Sequence, residues 1–494
     1  MIVLWLLTFI LVYLCLWSIY TLIKARSSPL MEIPGYALYN PIFGNLWLLS
    51  KKSIFERWSM NYRNFGHIYR WYTIMSHPYI SIIHPDYIKQ VLVTNSKKYI
   101  RGTLAGVEVF RKIVGDNSML VIDGDIHRRH RAIVSPAFRI SNLRKLIPVM
   151  HDCAMRLCKH LDDKMVSSDE QMTEVDIRQH LSHVTLTVIG LAGFGFDFDC
   201  IERENRLAEV LSSLNGSKSA HGLLQMLPYS YYYPFPSTRH FWSCLWTVHA
   251  IIDDLVKSKR QIRQDSLKYT ERDLLDMILE HTDKEMISQS GLSERELRDE
   301  VMTFIMAGHE TSSLALTWSI AMLCVHEDWQ EKCRQEVLSV KGEEPGFSWD
   351  HLEKLKLTKA FVQETMRLWP PIPAVSRTTL VDDRIGNYHI PAGTSVIALT
   401  GQMHRLAEFW PEPTKFLPER FLQDDIPWDA YLPFGDGPHK CLGYQFAMSE
   451  IMVILATLLS KYRFELAMDW EKLKVQGFVT LQPLTPILVN IKRI

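Results

Sequence analysis

The sequence predicts a mainly helical body with small β-sheets set before and after the helices, behind an apolar N-terminal helix. Three observations predict it. Several long stretches repeat their apolar residues every three to four positions. Short aromatic and β-branched stretches, broken by proline and glycine, stand on either side of them. Residues Ile2 to Ile23 carry no charge at all.

That first run includes Trp5, Phe9 and Trp17. As a helix rising about 1.5 Å per residue it spans roughly 33 Å, enough for a bilayer core. A cleaved signal peptide is the competing reading, but it needs a basic leading segment and a shorter apolar run. Lys24 and Arg26 follow at once, and the positive-inside rule then leaves the body cytosolic. Residues 1–23 therefore read as a single-pass transmembrane signal anchor. Pro29, Pro34, Gly35, Pro41 and Gly44 break any continuing helix and make 24–45 a stiff, proline-rich hinge. Residues 46–494 read as a single body, with no Gly/Ser linker to divide it.

Within the body, 67–93 is strand-like, with breaks at His77–Pro78 and His84–Pro85. Amphipathic helices follow at Leu146–Lys164, Val175–Gly193, Phe241–Arg263, Glu294–Val325 and His351–Leu368. A second β signature comes after the prolines at 370–373, and the chain ends in a strand-like stretch. The aromatic, proline-rich segment 222–237 reads either as a buried loop or as an element dipping into the bilayer interface.

Composition narrows the function. The 55 basic residues balance 55 acidic ones, so no global field draws in nucleic acid. The eight cysteines, at 15, 153, 158, 200, 244, 324, 333 and 441, form no CxxC pair. That excludes a zinc framework and fits a reducing compartment where most cysteines are small buried hydrophobes.

One cysteine sits differently. Phe434, Gly437, His439, Cys441 and Gly443 are spaced so that glycines bring the backbone close to a flat ligand while a helix begins just after the thiol. A helix start favours a thiolate, the ligand with which haem iron activates oxygen. Glu364 and Arg367 lie three apart on a predicted helix and can pair. Phe416 to Phe421, with Arg420 inside, follows about fifty residues on. On the helix through Ala307–Ser312, the residues Val301, Phe304, Ile305, Gly308, Ser312 and Ala315 share a face. Gly308 costs that helix about 1 kcal/mol, so it calls for either close helix packing or a planar cofactor beside it.

Taken together and in this order, these motifs resemble the cytochrome P-450 family, over essentially the whole chain. The resemblance implies the family's triangular helical prism and a non-covalent haem b with Cys441 as the axial iron ligand, its sulfur shielded by Phe434. It implies that Glu364, Arg367 and Arg420 form a buried charge cluster. Thr311 and Glu310 would hold and relay protons beside the reacting oxygen. Arg131 and Arg377 would reach the haem propionates, with His127 and His439 where the family usually has Trp and Arg. Histidine lacks arginine's permanent charge. A propionate is expected to raise each histidine pKa, so haem retention is expected to weaken as pH rises through neutrality. Ala307 stands where a helix glutamate esterifies haem in one subgroup, so no covalent link is expected.

Partners follow from the same resemblance. The chain has no GxGxxG fingerprint after a strand, so electrons are expected from an NADPH-dependent flavoprotein reductase on the endoplasmic reticulum membrane. His127, Arg128, Arg129, His130, Arg131 and Lys440 are candidates for its docking patch; a solvated basic helix face is the alternative. Phe304, Ile305, Ala307, Ile372 and Val375 are expected to line a pocket for a fatty acid, sterol, terpenoid or xenobiotic that receives an oxygen atom from O2. Two rival functions are a hydroperoxide isomerase or lyase that needs no O2, and a non-catalytic haem sensor. Both are disfavoured by the intact Glu310–Thr311 pair.

Overall fold

The computed structural model describes residues 1–494 except 46–52, 103–104, 169–171, 204, 215–231, 233–234, 266–272, 287–290 and 478. The first helix, α1 (Ile2–Arg26), ends three residues beyond the expected anchor, with Lys24 and Arg26 in its last turn. Some of its side chains lie outside the described set, and among the described residues no helix is long and apolar enough to cross a membrane.

The stretch expected to act as a hinge is docked from Leu30 onward. Leu30 and Ile33 are buried in the core beneath a β-sheet. Arg70 on that sheet donates to the Met31 and Ile33 carbonyls. Gly35 pairs with Arg70 at a φ of +153°, and a Cβ there would meet the Arg70 carbonyl oxygen at 2.2 Å. Only glycine fits so close an approach.

The sheet has five strands: β1 (Ile68–Tyr72), β2 (Pro78–Ile82), β3 (Tyr99–Arg101), β5 (Val375–Thr379) and β8 (Ser395–Ala398), in the order β1-β2-β8-β5-β3. Only β2 and β8 run parallel. The strand reading of 67–93 fails after Ile83, where Pro85–Lys89 and Gln90–Thr94 are helical. Proline is favoured in a first helical turn, and the His84 ring caps this one by accepting from the Asp86 N–H. A three-stranded sheet joins β4 (Met172–Asp176), β12 (Leu488–Arg493) and β9 (Tyr462–Leu466). Two hairpins complete the β-structure: β6 (Asp383–Ile385) with β7 (Tyr388–Ile390), and β10 (Val475–Gly477) with β11 (Leu481–Pro483).

The helical body packs around one core drawn from α2 (Gly124–Val134), α3 (Ile140–Ser168), α4 (Ile177–Val188), α5 (Glu294–Val325), α6 (Lys356–Leu368) and α7 (Tyr444–Leu459). The central helix α5 has the bounds its periodicity predicts. It starts at a capping box in which Ser293 accepts from the Glu296 N–H and Glu296 accepts from the Ser293 N–H, satisfying two otherwise orphaned donors. The predicted helix 351–368 is instead broken at Leu355 into Trp349–Lys354 and α6.

The inner face of α6 carries Glu364 and Arg367, both fully buried. Arg367 Nε and Nη2 grip the two carboxylate oxygens at 2.7 and 2.8 Å. The other N–H groups reach the carbonyls of His404, Pro413 and Lys415 at 2.7 to 3.0 Å. All five guanidinium donors are thereby used. Glu364 also accepts from the Leu417 N–H, and Arg420 Nε lies 3.5 Å from it. The loop 404–420 is thus tied to α6 mainly through its backbone. His404 extends the tie, its Nε2 accepting from the Leu432 N–H at 2.9 Å. Burial, then the Arg367 charge, push its pKa down to about 3.

Replacing Arg367 by leucine leaves a buried carboxylate unpaired and three carbonyls without donors. A loss of about 3–5 kcal/mol is expected, read in urea denaturation, and Arg367→Lys does not rescue it because three donors cannot meet five acceptors. His404 gives a pH signature. Its folded pKa lies below the unfolded value of about 6.5, so the unfolded chain binds more protons between about pH 6.5 and 3. The stability tied to its neutral form is full above that window and lost as pH falls. His404→Gln should therefore reduce the stability lost between pH 7 and 5 by about 2 kcal/mol.

Candidate active site

The cysteine loop is built by backbone. Cys441 N–H donates to the Phe434 carbonyl at 2.9 Å, closing residues 434–441 into a tight loop. Gly435 and Gly437 take φ of +67° and +71°, which a side chain would strain. At Gly437 a Cβ would also meet the Leu92 carbonyl oxygen at 2.0 Å, so the loop lies against the turn 90–94. Gly443 is the N-cap of α7. Cys441 is accessible, yet enough protein surrounds it that burial raises its thiol pKa, against the Gly443 N–H and the charges of Arg131 and Lys440. A side chain both accessible and surrounded lines a cavity.

On α5, Phe304, Ala307, Gly308, Glu310 and Thr311 are only half-buried, whereas most of the helix around them is sealed. Phe138 links this face to the cysteine loop. Its ring is 5.8 Å from that of Phe304, and its edge would lie 3.6 Å from a Cβ on Gly443. Ile305, expected in the pocket, is instead sealed in the main core on another side of the helix. At Gly308 a Cβ would meet the Ile189 side chain at 3.3 Å, so packing against the turn after α4 gives that glycine a structural reason. The open face of the helix therefore runs through Phe304, Ala307, Gly308 and Thr311 and leaves Ile305 outside it. Ser312 turns away as well, buried beside Glu450 of α7. Val375 is half-buried and Ile372 exposed.

The Thr311 hydroxyl donates to the Ala307 carbonyl at 2.7 Å. Glu310 Oε1 accepts from Gln482 Nε2 at 2.6 Å and from the Thr480 hydroxyl at 3.2 Å. Burial raises its carboxyl pKa against those bonds and the Arg178 charge.

Beside the cysteine loop lies a group of cations. Arg101 and Arg377 sit directly opposite each other on β3 and β5, a pairing of like charges that destabilises a sheet unless anions answer it. Burial, then the Arg377 charge, lower the Arg101 pKa to about 9, and burial lowers Arg377 to about 10. Arg131 donates to the Lys440 carbonyl at 2.9 Å, bracing the residue before Cys441. Asp123 is the acid in this group, its Oδ1 lying 3.3 Å from His439 Nε2 and its Oδ2 accepting from the Arg101 backbone N–H. Burial would raise it, but His439 and Arg101 more than offset that and hold it below the usual carboxylate range.

The two histidine rings are in contact, their centres 4.1 Å apart and their planes tilted by 47°. Arg101 Nη2 is 2.7 Å from His439 Nδ1. A guanidinium can only donate, so that nitrogen accepts and the ring is neutral. Burial, then the His439 ring and Arg101, push His127 down to about 3. From the protein's own groups both histidines fall below the ordinary histidine range, and Arg101 supplies a permanent charge beside them; the rise expected from a propionate partner concerns the haem-bound protein. Sequence reasoning missed Arg101, whose strand is only three residues long; its one local signal is Gly102, where a Cβ would meet the Ser376 hydroxyl at 2.1 Å.

The expected docking patch also changes. Arg129 bonds the Gly291 carbonyl and Glu296 at the start of α5, and His130 is buried against Glu300 at 2.7 Å. Arg128 pairs with Asp125 on its own helix. Arg128 and Lys440 stay exposed.

A sequence profile of the cytochrome P-450 family matches residues 34–489. The chain belongs to the cytochrome P-450 family. It is 30% identical over 410 residues to cytochrome P-450 4F12 of Homo sapiens, covering 78% of this chain and 75% of that one. Over 429 residues it is 29% identical to Protein LUTEIN DEFICIENT 5, chloroplastic, of Arabidopsis thaliana, covering 84% and 70%. Echinocystic acid 23-monooxygenase of Saponaria officinalis is 27% identical over 379 residues, covering 73% and 70%.

A cytochrome P-450 holds haem b non-covalently through a cysteine thiolate, and the residues here fit it. Cys441 lines a cavity, Arg101 and Arg377 both face the Asp123 carboxylate, and Arg131 is bonded to the Lys440 carbonyl beside the thiol. Arg101 Nε and His127 Nε2 are buried without a partner, as donors awaiting an anionic edge such as two propionates. Ala307 offers no carboxylate for an ester. Arg101→Gln is expected to speed haem transfer to an acceptor apoprotein about ten- to a hundredfold, the worth of one charge-assisted hydrogen bond of ~1.5–3 kcal/mol. His439→Arg should change that rate far less.

Proposed function

We propose that this cytochrome P-450 is a haem-thiolate monooxygenase that places one oxygen atom of O2 into a lipophilic substrate. NADPH would supply the electrons through a flavoprotein reductase on the same membrane. The observation that carries the reading is the pairing of a cavity-lining cysteine on a glycine loop with an acid–alcohol pair on the half-buried face of α5. Haem bound through a thiolate supplies the redox and oxygen-transfer chemistry.

The chain's own residues divide the remaining work. Cys441 is the proposed ligand: the Gly443 N–H and the charges of Arg131 and Lys440 favour its thiolate against the cost of burial. Arg101, Arg131 and Arg377 would grip the porphyrin edge with fixed charge and His127 as a neutral donor, while His439, set between Arg101 and Asp123, would hold the arginine in place. Phe434 encloses the sulfur side of the loop, where it packs against the main core. Glu310, its carboxyl pKa raised by burial, can hold a proton nearer neutrality than an exposed glutamate. Thr311 can pass one by turning its hydroxyl from the Ala307 carbonyl. Phe304, Ala307, Val375 and Ile372 give the substrate space an apolar lining suited to a fatty acid, sterol, terpenoid or xenobiotic.

The apolar sequence of α1, with Lys24 and Arg26 at its end, supports a single-pass anchor in the endoplasmic reticulum membrane with the body in the cytosol. Segment 222–237, the second candidate for the bilayer interface, lies mostly outside the described residues. Exposed Arg128 and Lys440, beside the cysteine loop, support reductase docking on that side.

Cys441→Ser should abolish the thiolate signature in the CO difference spectrum of the reduced protein. Thr311→Ala should keep that signature and NADPH consumption while product per NADPH falls ~10-fold or more and hydrogen peroxide rises. Turnover of a hydroperoxide without NADPH or O2, with none of a lipid substrate in their presence, would overturn the monooxygenase reading in favour of an isomerase or lyase.

A further inference from the structure

Glu310 and Thr311 are successive residues on α5, about 100° apart around the helix, and they are held in different ways. Thr311 turns back onto its own helix at Ala307. Glu310 is gripped from β11 and the residue before it, because the bonds from Gln482 Nε2 and the Thr480 hydroxyl both fall on Oε1. Oε2 receives neither bond and is not among the sealed, unpartnered atoms.

The grip is itself held. Gln482 is buried. Its Oε1 accepts from Arg178 Nη2 of α4 at 3.0 Å, and its Nε2 also reaches the Thr480 hydroxyl at 2.7 Å. A guanidinium only donates, so the oxygen of the amide must face Arg178 and its nitrogen must face Glu310. The result is a fixed line from cation to amide to carboxylate, crossing three elements distant in sequence. Among the described residues Arg178 is the charged group facing Glu310 from α4. Arg178 is shared with Asp176, which accepts from its backbone N–H. On the β11 side the groups facing Glu310, Thr480 and Gln482, are uncharged.

We propose that Gln482, backed by Arg178, is a positioning residue for the relay acid: it occupies Glu310 Oε1 as an acceptor and so makes Oε2 the oxygen that carries the proton into the cavity. This rests on the relay role given to Glu310 above. The physical reason is selective. Protonating an oxygen that already accepts two hydrogen bonds weakens both and crowds the new O–H against their donors, whereas protonating Oε2 leaves Oε1 free to accept them. Without the amide, either oxygen could be protonated and the side chain would lose its fixed rotamer.

The test reads Glu310 directly. In the resting holoprotein, the carboxyl C=O band of Glu310, assigned by its loss in Glu310→Gln, is followed by infrared difference spectroscopy against pH. Gln482→Leu should raise the midpoint by about one pH unit, the tenfold change expected when a carboxylate loses a strong hydrogen bond in a buried site. Thr480→Val should raise it less. An unchanged midpoint in folded Gln482→Leu, with melting temperature as the control for folding, overturns the proposal. If that variant does not fold, Gln482→Asn decides in the same way, because an amide one methylene shorter cannot reach both Arg178 and Glu310. The solvent deuterium isotope effect on NADPH-supported turnover separates the two claims. A shifted midpoint with an unaltered isotope effect leaves the clamp standing and removes the relay role of Glu310.

Discussion

The buried pair of Glu364 and Arg367 is the constraint on which the rest of the structure depends. Two opposite charges at zero exposure are unstable in a protein interior unless each lone pair and each N–H finds a partner. Here the partners are backbone groups at 404, 413, 415 and 417. A charge pair on one helix thereby dictates the path of a loop some fifty residues away. That loop leads on, through Leu432 and the neutral ring of His404, into the segment that presents Cys441. The thiol is placed by an electrostatic requirement at the far end of the same stretch.

Around the thiol the electrostatics are inverted. Arg101 and Arg377 share a carboxylate in Asp123, and burial with the repulsion of Arg377 lowers the pKa of Arg101 to about 9. The protein stores an excess of positive charge that its own side chains do not neutralise. His127 and His439 belong to this group without adding charge: one is held neutral by burial, the other by accepting from Arg101. His127 keeps a nitrogen without a partner and His439 bridges Arg101 and Asp123, while the fixed charges come from strands β3 and β5 and from α2. The distal side follows the opposite rule, with an acid kept in a sparsely charged region by an amide and a hydroxyl.

Much of the fold was legible because its signals are local. The bounds of α5 follow from a capping residue and a regular apolar period, and the two proline-bounded β stretches gave strands β1, β2 and β5 to β8. Where the reading failed, a local rule was outvoted or misjudged. Apolar residues at 85–93 look like a strand, yet Pro85 and the His84 cap start a helix. Proline and glycine at 29–44 suggest a stiff hinge standing between anchor and body, yet Arg70 supplies donors that dock the stretch on the sheet. The resemblance puts Ile305 in the substrate pocket, whereas the packing of α5 seals it in the main core.

The sequence by itself determined the iron-ligand candidate, the Glu364–Arg367 pair and the Glu310–Thr311 pair. Each depends on spacings of one to three residues, and helical or turn geometry converts such spacings directly into neighbours. Only the tertiary structure decided what surrounds them. Arg101 meets His439 across 338 residues, and Gln482 meets Glu310 across 172. No periodicity records a contact made when strands and helices from opposite ends of a chain close on one cavity.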